Sequence, residues 1–169
     1  MMKDSGHSIK TSEQQDEIHH GFQYLQFENR VLKIESDSAG IIRIAPAEIS
    51  TAEQPDDFTR CASEELGEYL MRKRKQFDVP LSLTGTAFQI QVWNALRSIP
   101  CGCTCSYGEL AKMIGRADAF RAAGNAAGKN PVMILVPCHR LIRADHRMGG
   151  FAWGAEWKQF LHEIEGIRL

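Results

Sequence analysis

The sequence predicts an α+β protein: a small antiparallel-sheet N-terminal domain, then a mainly helical C-terminal domain with a helix-turn-helix and a short strand pair around one cysteine. Three observations predict it. Residues 22–45 alternate short apolar segments with turn-prone residues. From residue 59 onward apolar side chains recur at helical spacing. Two capping boxes, Thr86 with Gln89 and Ser106 with Glu109, mark helix starts in the second half. A chain of 169 residues holds one or two small domains. The boundary is placed between residues 80 and 81, and about the first 18 residues are expected to be poorly ordered.

Taken in order, "FQYLQF", "VLKIES" and "IIRIA" are the strands, broken at Glu28-Asn29 and Ser38-Ala39-Gly40. Residues 46–58 form a loop. A helix is expected over 59–77 from the spacing of Ala62, Leu66, Tyr69, Leu70 and Phe77, with Arg72-Lys73-Arg74-Lys75 at the negative end of its dipole. The Thr86 helix carries Phe88, Val92, Trp93, Leu96 and Ile99 as its apolar stripe and stops at Pro100-Cys101-Gly102. "SYGELAKMIG" is a further helix stopped by Gly115, and Asp118 is expected to cap the next, "AFRAAGNAAG". Two short helices joined by a glycine-containing turn are a helix-turn-helix pattern. The second is almost without bulk through Ala119, Ala122, Ala123, Gly124, Ala126, Ala127 and Gly128. Such a helix can lie against a neighbour or sink into a nucleic-acid groove; Arg121, alone on it beside a basic surface, favours the groove.

The net charge of −1 hides an asymmetry. Residues 1–58 hold five Lys/Arg against eleven Asp/Glu, a net of −6, and residues 59–169 hold fifteen against ten, a net of +5. A polyanion would therefore meet the second half; two solvated faces of opposite sign are the plainer alternative. No apolar run approaches a membrane span, and the polar N-terminus lacks the apolar centre of a signal peptide, so a cytoplasmic location is expected. Five cysteines are an odd number for a disulfide framework. Cys101, Cys103 and Cys105 do not have zinc-ligand spacing, and no metal site is expected.

The chemistry is expected at "ILVPCHRLI", residues 134–142. Ile134, Leu135 and Val136 have the pattern of a buried strand, and Leu141 and Ile142 are apolar again. A thiol acts as thiolate, which burial disfavours, so Cys138 needs a base nearby. Neighbours on a strand face opposite ways, so His139 can reach Cys138 only at a turn or through a water. In "EWKQFLHEIEG", Glu165 borders the stripe of Trp157, Phe160, Leu161 and Ile164; it is either an exposed residue at a helix end or the group that orients His139. Cys, His and Glu would equally suit a hydrolase.

Residues 84–169 resemble the O6-alkylguanine-DNA alkyltransferases (methylated-DNA–protein-cysteine methyltransferases), through "TAFQIQVW", "SYGELA", "RAAGNAAGKNP", "ILVPCHRLI" and "GFAWGAEWK" in that order. Residues 1–80 match that family only in outline. The resemblance implies repair by direct reversal, without a cofactor: Cys138 takes the alkyl group of O6-alkylguanine, with O4-alkylthymine a further candidate, and each molecule acts once. It assigns His139 as a base acting through water, Glu165 as its holder, Asn130 as the residue pinning the turn, and Tyr107 as proton donor to the leaving guanine. Arg121 becomes the finger replacing a flipped nucleotide, a motion the buried O6 atom requires. Gln89, Tyr107, Gly108, Arg116, Arg121 and Ala144 become DNA contacts, and Leu141, Phe151, Ala152 and Lys158 the guanine pocket. The implied partner is double-stranded DNA, bound through its minor groove, ~6 Å wide, without sequence preference and by a monomer. Phe151 stands where many members have Tyr. Three other readings remain: a lesion-binding relative without transfer, which Cys138 argues against; a hydrolase; and a sequence-specific regulator.

Overall fold

The computed structural model describes residues 20–169, so the expected poor order of the first 18 residues lies outside them. The three expected strands form one antiparallel sheet, β1 (Phe22–Phe27), β2 (Arg30–Ser36) and β3 (Ile41–Pro46), in that order. Leu25 faces Leu32, and Ile34 faces Ile44, so one face is continuously apolar. That face receives α1 (Asp57–Leu70) through Ala62, Leu66 and Tyr69. The apolar core continues unbroken from Leu32 to Leu161.

The α1 helix differs from the expectation at both ends. It starts earlier, because Asp56 and Thr59 make a reciprocal capping box. It stops at Leu70, so the basic run lies beyond the last helical turn. Arg72 takes a left-handed φ of +61°, and the chain reverses there. Arg74 then bonds Glu68 at 2.6 Å and Asp78 at 3.1 Å, while buried Glu65 accepts from the Asp78 and Val79 N–H groups. Phe77 is not helical, yet its ring packs 5.4 Å from that of Tyr69, which explains how it mimicked helical spacing.

The expected capping boxes open α2 (Ala87–Arg97) and α3 (Tyr107–Met113). Gly115, with φ +71°, follows the end of α3 as expected. Asp118 does not cap the next helix. It sits inside a 3-10 turn, Ala117–Ala119, which runs directly into α4 (Phe120–Gly128), and no side chain caps either. The Trp93 indole N–H donates to the Ala126 carbonyl at 2.9 Å and fastens α4 to α2. Last comes α5 (Ala155–Glu165), ended by left-handed Gly166.

Ile134–Val136 is not a strand. Ile134 has φ +75°, and the segment is a tight turn whose Val136 N–H bonds back to the Val132 carbonyl. It mimics a strand in sequence because every side chain in it is buried. The sheet braces it: the Ile44 N–H donates to Pro131, and the Met133 N–H to Ile44, both at 3.0 Å. A short strand pair does form, β4 (Cys105–Ser106) with β5 (Leu141–Ile142), parallel and two residues each; only β5 comes from the segment around Cys138. Among the described residues no helix is long and apolar enough to cross a membrane.

Candidate active site and nucleic-acid interface

Cys138, His139 and Arg140 form a single 3-10 turn between Pro137 and β5. A turn, unlike a strand, lets consecutive side chains diverge around an axis. Cys138 faces a cavity of about 830 Å³ bounded by α4 on one side and by Leu141, Phe151 and Ala152 on the other. Tyr107 and Arg121 also line it. His139 and Arg140 point away from that cavity into the core, where both are buried.

Asn130 fixes the turn. Its amide NH₂ donates to the Val136 carbonyl at 2.7 Å and to the Cys138 sulfur at 3.2 Å, and its oxygen accepts from the Val132 N–H at 2.9 Å. Burial pushes the Cys138 thiol up to about 11, against the Asn130 hydrogen bond and the Lys158 charge. The resting group is therefore a thiol at neutral pH.

Behind the turn lies a convergent network on Glu165, whose side chain is 0% exposed. Its Oε1 accepts from the Tyr69 hydroxyl at 2.6 Å, His139 Nε2 at 2.7 Å and Arg140 Nη2 at 2.9 Å. Its Oε2 accepts from the Gly102 N–H at 2.8 Å and Arg140 Nε at 2.9 Å. Burial pushes this carboxyl up, but the hydrogen bonds and charges of His139 and Arg140 outweigh it and hold it well below the usual carboxylate range. Glu165 is thus an anion that can only accept, so His139 Nε2 must carry the proton. Burial lowers the imidazole below its ordinary value, which keeps it neutral. Its Nδ1 is then a lone pair, and it has no protein hydrogen-bond partner. The His139 carbonyl accepts from His162 Nε2 at 2.7 Å, which holds the turn from the α5 side.

Tyr107 opens α3, and its ring lies in a cradle of two glycines. A Cβ on Gly149 would stand 2.6 Å from the Tyr107 hydroxyl, and one on Gly124 would stand 3.0 Å from its ring. Burial and the neighbouring Cys138 raise the phenol, so it keeps its proton at neutral pH. Lys158 is fully buried but does not line the cavity. Its ammonium donates to the carbonyls of Leu141 at 2.5 Å, Gly150 at 3.3 Å and Gly149 at 3.4 Å, which ties the wall segment down from behind. Burial pushes it down to about 8.

The other sequence-selected residues lie outside the cavity lining. Gln89 is occupied in its capping box, its Oε1 accepting from the Thr86 N–H at 2.9 Å. Gly108 is on the first turn of α3. Arg116 is exposed between α3 and the 3-10 turn, its guanidinium 5.7 Å from the Phe88 ring centre. Ala144 is exposed in the loop after β5.

Sequence reasoning missed Tyr69, Gly102, Arg140 and Gly149. In sequence Tyr69 reads as part of an apolar stripe; its hydroxyl is the signal of more, since a buried phenol needs a partner. Arg140 stood beside Cys138 and His139, and a buried arginine calls for an anion. The contact of Gly102 is made by backbone and leaves no side-chain signal. Among the described residues no cluster of His, Cys, Asp and Glu could hold a metal.

Residues 87–167 match the family described as 6-O-methylguanine DNA methyltransferase, DNA binding domain. The methylated-DNA–protein-cysteine methyltransferase of Methanosarcina acetivorans is 49% identical over 111 residues, which are 66% of this chain and 71% of that protein. The crystal structure of the Mycobacterium tuberculosis O6-methylguanine methyltransferase superposes with a TM-score of 0.77 at 35% identity, covering 87% of this chain and 93% of that one. The same organism's protein in complex with DNA gives a TM-score of 0.77 at 37% identity over 85% of this chain and 91% of that one.

Proposed function

The chain belongs to the methylated-DNA–protein-cysteine methyltransferase family, and from that premise we propose that it repairs O6-alkylguanine in duplex DNA by moving the alkyl group once and irreversibly to Cys138. The observation that carries this reading is the geometry of the turn. One thiol faces a nucleotide-sized cavity, while the imidazole beside it is held by a buried carboxylate with its second nitrogen free to accept.

The steps balance. A water between them passes the Cys138 proton to His139 Nδ1, and Glu165 stabilises the imidazolium that forms. The sulfur attacks the alkyl carbon; the S–C bond forms as the C–O6 bond breaks. Tyr107 gives its proton to the leaving guanine, and the proton held by His139 restores the phenol through solvent. The products are a thioether and unmodified guanine. A thioether has no leaving group that water can displace, so the protein is spent after one event. Because the resting thiol is protonated, transfer requires that its proton first pass to His139.

For the thiol to reach O6, the nucleotide must leave the base stack. In this reading Arg121, which lines the cavity, enters the duplex behind it, and α4, almost without bulk, lies in the minor groove. Gln89, Gly108, Arg116 and Ala144 are phosphate and sugar contacts in this reading, which gives binding without sequence preference by a monomer. Residues 20–80 support the site through Tyr69 and the β3 contacts. O4-alkylthymine is a second substrate on the same chemistry.

The test is intact-mass measurement after incubation with duplex carrying O6-methylguanine. We expect one added methyl per chain, located on Cys138, and none on Cys138→Ala. Repair of the lesion by Cys138→Ala, or repeated turnover by the wild type, would refute the assignment.

A further inference from the structure

Bare α4 carries one large exception. Phe120, its first residue, is 45% exposed, one of only five large apolar side chains so exposed among the described residues. It is not a stray surface group. It lines the same cavity as Cys138, next to Arg121, and the Arg121 guanidinium lies 5.5 Å from its ring centre. Beyond Arg121 the helix offers only Ala, Gly and the polar Asn125, so no other large apolar side chain on α4 competes with it for contact. An aromatic ring at the leading end of a helix that fits a narrow groove, beside the cation that enters the duplex, has one complementary partner there: the face of a base pair.

We propose that Phe120 is a second inserting residue, an apolar wedge that stacks on the base pair next to the lesion while Arg121 occupies the place the nucleotide leaves. This rests on the functional reading above and adds a residue to it. A ring inserted at a base step unstacks and kinks the duplex toward the major groove, and stacking on the ring compensates the exposed base-pair face. Arg121 fills a hole by hydrogen bonding; Phe120 holds the neighbouring step open by contact area. The two acts differ physically, so their losses should be separable. A wedge also suits a protein that reads damage and not sequence, since every base pair offers a π-face.

The test compares wild type, Phe120→Ala, Phe120→Trp, Arg121→Ala and the double Phe120→Ala/Arg121→Ala. Each receives two methyl donors: O6-methylguanine in duplex DNA, and the free base O6-methylguanine. A duplex carrying 2-aminopurine beside the lesion reports unstacking at that step. We expect Phe120→Ala to slow transfer from duplex roughly tenfold, equivalent to one lost base-stacking contact. It should abolish the 2-aminopurine signal and slow transfer from the free base clearly less than transfer from duplex, while Phe120→Trp restores both duplex readouts. The double variant should lose more than Arg121→Ala alone. An unchanged duplex rate in Phe120→Ala overturns the wedge. So does an equal loss on the free base, which would make Phe120 a pocket wall. A double variant no worse than Arg121→Ala also overturns it, since Phe120 would then act only by holding the arginine. Failure of the wild type to take a methyl group from either donor would instead sink the function itself.

Discussion

Replacing Glu165 by Gln removes one charge and almost no volume, yet it should be among the most damaging substitutions in the protein. Oε1 accepts from Tyr69, His139 and Arg140, and Oε2 from Gly102 and Arg140. Whichever oxygen becomes NH₂ therefore meets at least two donors. The Arg140 side chain, 6% exposed, would keep its charge without a counter-ion. Breaking one partner of a buried pair costs about 3–5 kcal/mol. For a chain of this size each kcal/mol moves the melting temperature by about 2–4 °C, so a fall of roughly 6–20 °C is expected in thermal unfolding followed by circular dichroism. Adding Arg140→Met removes the orphaned charge, and the double variant should be no less stable than Glu165→Gln alone. The acid limb gives a second readout. The Glu165 pKa is depressed on folding, so its contribution is fully present above the unfolded value of about 4.3 and is lost as pH falls below it toward the folded value. Glu165→Gln should lack that part of the slope. A loss below about 1 kcal/mol, or two single losses that simply add, would refute the view that one buried carboxylate organises this centre.

Three further outcomes are expected. Because burial lowers the His139 pKa, the base stays neutral below its ordinary titration range, so single-turnover methyl transfer should remain at full rate at pH 6.5 and fall only in more acid solution. Gly149→Ala would place a methyl 2.6 Å from the Tyr107 hydroxyl. Transfer should slow about tenfold or more, on the scale of a lost general acid, while the melting temperature changes little. Tyr69→Phe removes a hydrogen bond to a buried anion, and denaturant unfolding should show a loss of about 1.5–3 kcal/mol.

Much of the local structure was legible because it is encoded locally. Both capping boxes lie within four residues, and Gly115 stops α3 through its own backbone freedom. The sheet followed from period-two alternation and intervening turns. Errors arose where burial was complete. In Ile134–Val136 all side chains are inside, so periodicity could not separate a strand from a tight turn. Phe77 kept a helical interval from Tyr69 although the chain had already reversed at Arg72. Asp118 had the chemistry of a cap, but the 3-10 turn runs straight into α4 and leaves it no N-cap position.

By itself the sequence determined the fold class, the helix starts, the thiol and imidazole side by side, and the family likeness of residues 84–169. These depend on residue type, period and short spacing, which the chain carries wherever it goes. The tertiary structure alone decided that Glu165 faces inward, that Tyr69, 96 residues away, reaches it, and that His139 turns from the cavity while Cys138 faces it. It also decided that Lys158 lies behind the pocket wall and not in it. Glu165 shows why: on the α5 pattern it could equally be a solvated residue at a helix end. Only the packing of α1 and the Gly102 turn around α5 closes that position to water, and a carboxylate closed to water must gather donors from wherever in the chain they can reach it.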